Sequence, residues 1–298
     1  MDIENHSLSR SSISIVIASK GDRSALCKTV NKLIGILGPK DQVIIVIPIT
    51  SQIIFNSLVL PYLFKSELVT VFFANTVGQV RQRLYGLERA SNDLVMQLDD
   101  DIEFTEESFD ILLDCWRRCV LARGDNVVIA PVQIQRSAKL KASRLRRRNV
   151  PQSISEDEGI CLIRCDGLGS YSLQKLLSSE HFLVRTEWLP GGCVVGLRKN
   201  FPIRNYYPLD GYAYGEDMLD SVRRSKQGIS MFICPSARIL VKNRTQQVPM
   251  PLYDCRKQIL IQKLILKHLG RLSLFTGQLI LLRTALKFCI RNVLYVLR

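Results

Sequence analysis

Histidine is nearly missing from this chain, with three in 298 residues, and tryptophan occurs only twice. So few imidazoles argue against a histidine-built zinc site. The nine cysteines (Cys27, Cys115, Cys119, Cys161, Cys165, Cys193, Cys234, Cys255 and Cys289) lie in mostly apolar or helical-looking surroundings. Cys115/Cys119 and Cys161/Cys165 are each four apart, but neither pair has a histidine near it. Reduced, structural thiols are the better reading. Long apolar runs are also lacking: none reaches the roughly 18 to 20 residues that cross a bilayer. The stretch from Met1 to Ser12 is polar, so no signal peptide is expected there, and a reducing cytosolic setting follows.

Acids are the scarcer charge, 27 Asp and Glu against 41 Lys and Arg, which leaves a formal +14. A surplus of that size calls for an anionic partner: nucleic acid, an acidic membrane surface or a phosphate-bearing substrate. With 47% hydrophobic residues the chain can still build an ordinary core.

The pattern that is present alternates buried strands with helices. Strands are predicted at Ile13–Ser19, Gln42–Pro48, Leu68–Phe73, Asp93–Leu98 and Val127–Val132, each a β-branched or apolar run. Helices are predicted from Ser24 to about Gly35, Ile53 to Phe64, Gly78 to Ala90, and from a Thr105 cap to about Ala122. This order implies an open α/β fold: one Rossmann-like, mixed but mainly parallel sheet with helices on both faces. Residues 1–12 form a polar extension, 13–245 the α/β domain, and 246–298 a basic helical tail. Within the domain, 135–158 reads as a basic loop, with seven basic residues and no acid between Arg136 and Arg148. A solvated loop and a lip over an anionic acceptor both fit it.

Ligands in such sheets bind beyond the carboxyl ends of the strands. Asp99, Asp100 and Asp101 stand at one such end. Adjacent acids repel unless a cation neutralises them, and their hard oxygens suit Mg²⁺ or Mn²⁺ bridging a diphosphate. An acidic turn ahead of the helix at Thr105 is the plainer reading; the position after a buried strand favours the metal site. Glu216 and Asp217 follow a tyrosine-rich loop (Tyr206, Tyr207, Tyr212, Tyr214) and open a helix. Acids there suit the helix dipole, or one of them serves as a general base. Gly191 and Gly192 precede a strand and let the backbone come close to a ligand, or form an ordinary turn.

Taken in order, these segments resemble family 2 glycosyltransferases of the GT-A fold, from about Ser12 to Asn243. The matching segments are Ile15 to Arg23 (IVIASKGDR), Asn75 to Arg81 (NTVGQVR), Leu98 to Asp101 (LDDD), Pro190 to Arg198 (PGGCVVGLR) and Gly215 to Asp217 (GED) with Arg223, Arg224 and Gly228 downstream. The resemblance implies an inverting transfer of a sugar from a nucleotide-diphosphate donor to a hydroxyl of a glycan or lipid-linked saccharide. It implies donor contacts from Ala18, Ser19, Asp22, Arg23, Thr50, Asn75, Arg81, Asp99 and Asp100. It places the Mn²⁺ or Mg²⁺ cofactor on Asp101 with Asp99, the acceptor on Gly191, Gly192 and Tyr214, and the base at Asp217, assisted by Glu216. Two departures stand out. The second strand ends Pro48-Ile49-Thr50-Ser51 instead of in acids, so hydroxyls must replace a carboxylate on the nucleotide. The stretch Ala237 to Asn243 lacks the histidine that many relatives use at the metal; Lys242 on a phosphate, or water on the metal, would take its place.

The tail beyond Pro251 carries nine Lys or Arg against one acid, Asp254, interleaved with apolar runs. An amphipathic helix on an anionic membrane surface and a helix packed on the domain both fit. The first makes the protein cytoplasmic and peripheral on the inner face of the membrane. A nucleic-acid binder is the first rival, but the basic run lacks interleaved aromatics. A nucleotidyltransferase is the second, and Lys20-Gly21-Asp22-Arg23 is a poor version of its basic glycine loop. An inactive relative serving as a scaffold is the third.

Overall fold

The structure is a computed structural model of the chain and describes residues 11–21, 24–63, 66–135, 154–155, 161–165, 167–208, 215–241 and 252–296. The expectations for residues 1–10, Asp22, Arg23, the basic run 136–148, Glu156 to Glu158, Tyr212, Tyr214 and Lys242 lie outside the described residues.

The chain opens with β1 (Ile13–Ala18), α1 (Ser24–Ile34), β2 (Gln42–Pro48), α2 (Gln52–Leu58), β3 (Val69–Ala74), α3 (Gln79–Leu87) and β4 (Leu94–Asp99). It continues through β5 (Ile102–Phe104), α4 (Glu106–Arg123), β6 (Val127–Gln135), β7 (Ile154–Ser155), α5 (Leu173–Ser178), β8 (Leu183–Arg185) and β9 (Cys193–Leu197). It closes with α6 (Glu216–Lys226), β10 (Ser230–Val241), α7 (Leu252–His268) and α8 (Leu274–Val296). The strands form one sheet in the order β3-β2-β1-β4-β9-β6-β10-β8-β7, with β5 on β10.

β1, β2, β3 and β4 run parallel, and Ile17 pairs with Ile45 on one side and Leu98 on the other. Both faces of these strands are covered, which is why Ile15 to Ala18 of β1 and Val43 to Pro48 of β2 read as apolar runs. α1, α4 and Phe55 cover one face, and α3 and α5 the other. α3 lies so close that a Cβ at Gly86 would stand 2.5 Å from Val16 Cγ1. Thr105 caps α4 by accepting the Ser108 amide at 3.2 Å, as its sequence signature predicts. The second helix is shorter than the pattern suggests. α2 ends at Leu58, and a 3₁₀ turn at Leu60–Tyr62 takes up Pro61.

β9 reverses the sheet. It pairs antiparallel with β4 and β6, bringing Cys193 opposite Leu98. The Gly191–Gly192 turn therefore sits at the carboxyl end of β4, and the Asp99 amide donates to the Gly192 carbonyl at 2.8 Å. A third apolar cluster joins Met218, Leu219 and Val222 of α6 to Ile261 and Ile265 of α7, with Val80 and Tyr207. The tail is thus two helices with different surroundings. α7 buries Cys255, Ile261, Gln262, Ile265 and Leu266, whereas most of the α8 residues from Leu274 to Ile290 are exposed. Among the described residues no helix is long and apolar enough to cross a membrane.

Candidate active site

The site lies where β1 and β4 end side by side, at the switch point of the parallel half of the sheet. Ser19 follows β1 directly. Its hydroxyl donates to Asp100 Oδ2 at 2.6 Å and accepts the Gly21 amide at 3.1 Å. Gly21 needs its positive φ of 77°, and a Cβ there would press on Ile47 at 2.8 Å. Thr29 of α1 donates to the Ile102 carbonyl at 2.8 Å, with the Asp100 carbonyl at 3.2 Å, which pins the acidic turn from behind. Gln82 of α3 closes the gap between β1 and β2 by donating to the Ser19 and Val46 carbonyls, both at 2.8 Å.

The three aspartates separate by environment. Asp99 faces α3, where its Oδ1 accepts from Gln79 at 2.8 Å and from Arg83 at 2.7 Å. Asp100 is buried on Ser19. Asp101, also buried, lines a cavity of about 40 Å³ with Ser24, Lys28, Thr29, Glu103, Leu240 and Val241. Burial raises the Asp99 carboxyl to about 6; Arg83 opposes this, while Glu216 and Asp101 add to it.

Arg83 is the centre of the arrangement, and the sequence alone did not single it out. Its guanidinium donates to Asp99 Oδ1, to Glu216 Oε1 at 2.5 Å and to the Gly191 carbonyl at 3.0 Å. Burial alone would push it down, but Glu216 and Asp99 hold it well above its ordinary value. One cation therefore joins the acids after β4 to the acids opening α6. The signal that could have found it is its spacing from Gln79: four residues on, the two share one face of α3. Arg81, singled out by the resemblance, sits on an exposed part of the same helix.

Glu216 has both oxygens engaged, Oε1 by Arg83 and Oε2 by the Tyr206 hydroxyl at 2.7 Å. Asp217, half-buried beside it, accepts the Met218 amide at 2.9 Å. Burial and then the Glu216 charge push Asp217 up to about 7, against the amides of Met218 and Gly191 and the charge of Arg83, which lower it. A carboxyl near 7 suits a general base working at neutral pH. The glycine pair is needed for space. A Cβ on Gly191 would stand 2.8 Å from Glu216 Oε1 and 3.1 Å from Asp217 Cβ, and one on Gly192 would stand 2.8 Å from Gln133 Nε2.

Ser19, Asp99, Asp100, Gly191, Gly192, Glu216 and Asp217 are thus tied into one connected site. Ala18 ends β1 in register with Asp99. Thr50, on a 3₁₀ turn after β2, and Asn75, after β3, are exposed at the ends of neighbouring strands. Among the described residues no three His, Cys, Asp or Glu side chains gather into a metal cluster. Asp101, buried beside a small cavity, has hard carboxylate oxygens of the kind that suit a divalent ion, and Asp99 next to it is held by the Arg83 guanidinium.

No family model matches the sequence, and no curated protein matches it. Solved structures do match. GalNAc-T7, crystallised with UDP, GalNAc and Mn²⁺, aligns at a TM-score of 0.52 and 13% identity over 80% of this chain. This chain spans 45% of the GalNAc-T7 chain, less than half its length. S. aureus TarS 1–349, in complex with UDP-GlcNAc, aligns at a TM-score of 0.50 and 13% identity over 94% of this chain and 72% of its own. With its parallel half, its reversing β9 and its acids at the end of β4, the chain has the GT-A fold of these glycosyltransferases.

Proposed function

We propose that this protein is an inverting glycosyltransferase that moves a sugar from a nucleotide-diphosphate donor to a hydroxyl of a glycan or lipid-linked saccharide. The observation that carries this reading is Arg83, which binds Asp99 and Glu216 at once on a GT-A sheet. It couples the strand end where a donor sits to the helix that bears the base. The UDP and UDP-GlcNAc of the two matching structures support a nucleotide-sugar donor.

The donor binds across the ends of β1 and β4, against Ala18, Ser19, Asp99 and Asp100, with Asp22, Arg23, Thr50, Asn75 and Arg81 towards the nucleotide. Asp101 would hold the Mn²⁺ or Mg²⁺. When bound, that ion supplies Lewis-acid stabilisation of the departing diphosphate. Gly191, Gly192 and Tyr214 border the acceptor. Asp217 takes the proton of the acceptor hydroxyl as its oxygen attacks the anomeric carbon from the face opposite the diphosphate. The bond from that carbon to the diphosphate oxygen breaks, and the nucleoside diphosphate leaves. Glu216 acts as a positioning residue, since Arg83 and Tyr206 occupy both its oxygens.

Residues 13–245 form the catalytic domain in this reading, and 246–298 the tail that meets an anionic membrane surface. The enzyme works in the cytoplasm, at the inner face of that membrane.

The test is release of nucleoside diphosphate from a panel of nucleotide sugars, followed against pH. Because Asp217 must be ionised to accept a proton and titrates near 7, kcat/KM is expected to fall about tenfold per unit below that value. A rate that is flat from pH 5 to about 8, or no turnover of any nucleotide sugar, contradicts the reading.

A further inference from the structure

Helix α8 is held on one side only. Ile280 and Thr284, four residues apart, are buried on the side that packs against α7. The opposite side carries Phe275, Leu282, Leu286 and Ile290, which at 3.6 residues per turn fall along one stripe. They are 74, 70, 58 and 51% exposed, and Leu274 at the start of the helix is 90% exposed. Large apolar side chains aligned on one exposed face mark an interaction surface. Arg283 and Lys287, both exposed, run along one flank of the stripe.

Charge decides what covers this face. Residues 251–298 hold nine Lys or Arg against the single acid Asp254, within a chain of +14. A second copy docked on the same face would bring two basic surfaces together. A bilayer with anionic headgroups accepts both features: the stripe enters the headgroup–acyl boundary while the cations meet lipid phosphates. We propose that α8 lies in the plane of an anionic membrane surface, with Phe275, Leu282, Leu286 and Ile290 as its inserted face.

α7 stands between α8 and the site. Ile261 of α7 packs so close to Gly215, the residue before α6, that a Cβ there would approach to 3.0 Å. In the turn between α7 and α8, Arg271 donates to the Ile163 carbonyl at 3.0 Å and pairs with Glu187 at 3.3 Å. The proposal rests on the transferase reading only for its consequence, that the acceptor is met at a membrane surface.

The full chain is to be sedimented with vesicles of phosphatidylcholine alone and with about one third phosphatidylglycerol. Wild type is expected to follow the anionic vesicles and to be released by added salt. The double variant Leu282→Glu/Leu286→Glu is expected to lose binding at least about tenfold with an unchanged melting temperature, since both side chains are exposed. Arg283→Gln/Lys287→Gln is expected to weaken binding to the anionic vesicles alone. Three results overturn the proposal: wild type that ignores anionic vesicles, a Leu282→Glu/Leu286→Glu variant that binds like wild type, or a wild-type dimer that this variant converts to monomer. Vesicle binding and sugar transfer are read separately, so loss of one does not imply loss of the other.

Discussion

Asp217→Asn is expected to lower sugar transfer by about three orders of magnitude or more while leaving donor affinity within a few-fold of wild type. The amide keeps the shape and can still accept the Met218 amide, whose bond to Asp217 Oδ1 is 2.9 Å. What it cannot do is take a proton. Loss of kcat without loss of donor binding is the signature of a group that acts in the transition state. Glu216→Gln tests the division of labour. It should weaken the Arg83 and Tyr206 contacts and disturb stability as well as rate, because Glu216 is buried and both its oxygens are engaged. Should Asp217→Asn turn over like wild type, the assignment of the base is wrong.

Arg83→Met carries the second large effect. Removing the guanidinium leaves Asp99 and Glu216 facing each other without the cation that joins them. Breaking a buried ionic network in this way costs roughly 3–5 kcal/mol. In a domain of this size that is a fall in melting temperature on the order of 10 °C. Transfer should drop with it, since the donor and acceptor halves of the site lose their bridge. Arg83→Lys distinguishes charge from geometry. An ammonium can satisfy one carboxylate but cannot span Asp99, Glu216 and the Gly191 carbonyl as a planar fork does. Partial recovery of stability with transfer still depressed is expected from it. Full recovery of both would show that the bridge has no special geometry.

The parallel half of the fold could be read from the chain because its information is local. β1, β2 and β4 are apolar runs covered on both sides, and α4 announces itself with Thr105 and the acids that follow. The second half was less legible because its strands are defined by partners far away in sequence. β9 is five residues with two glycines before it and one within it, and only pairing with β4 and β6 makes it a reversing strand. β10 runs for twelve residues through Pro235, and a register shift between Cys234 and Arg238 lets it continue. In the tail the sequence offered packing and membrane contact as alternatives, and Gly270, with its positive φ of 68°, separates two helices. α7 packs on α6, and α8 turns its apolar face outward.

The site divides along the same line. The acids at both ends stood out by type and spacing, whereas the residue that joins them did not. Arg83 lies within a helix that carries other cations, and apart from its four-residue spacing from Gln79 only the folded geometry separates it from Arg81 and Arg89. The resemblance put the metal on Asp101 with Asp99 and the donor on Asp99 and Asp100; in the fold Asp99 meets a guanidinium, Asp100 a hydroxyl, and Asp101 lines a cavity.

The most direct measurement of the central idea needs no acceptor. Thermal unfolding of the full chain is to be followed with each nucleoside diphosphate, with and without Mn²⁺. A ligand that binds only the folded state raises stability by RT ln(1 + [L]/Kd), about 2.7 kcal/mol at a hundred times Kd. At least one nucleoside diphosphate should stabilise the wild type, more so with Mn²⁺, and the added effect of the ion should vanish in Asp101→Asn. Stabilisation by none of them, or a Mn²⁺ effect untouched by Asp101→Asn, would contradict a donor site at the end of β4.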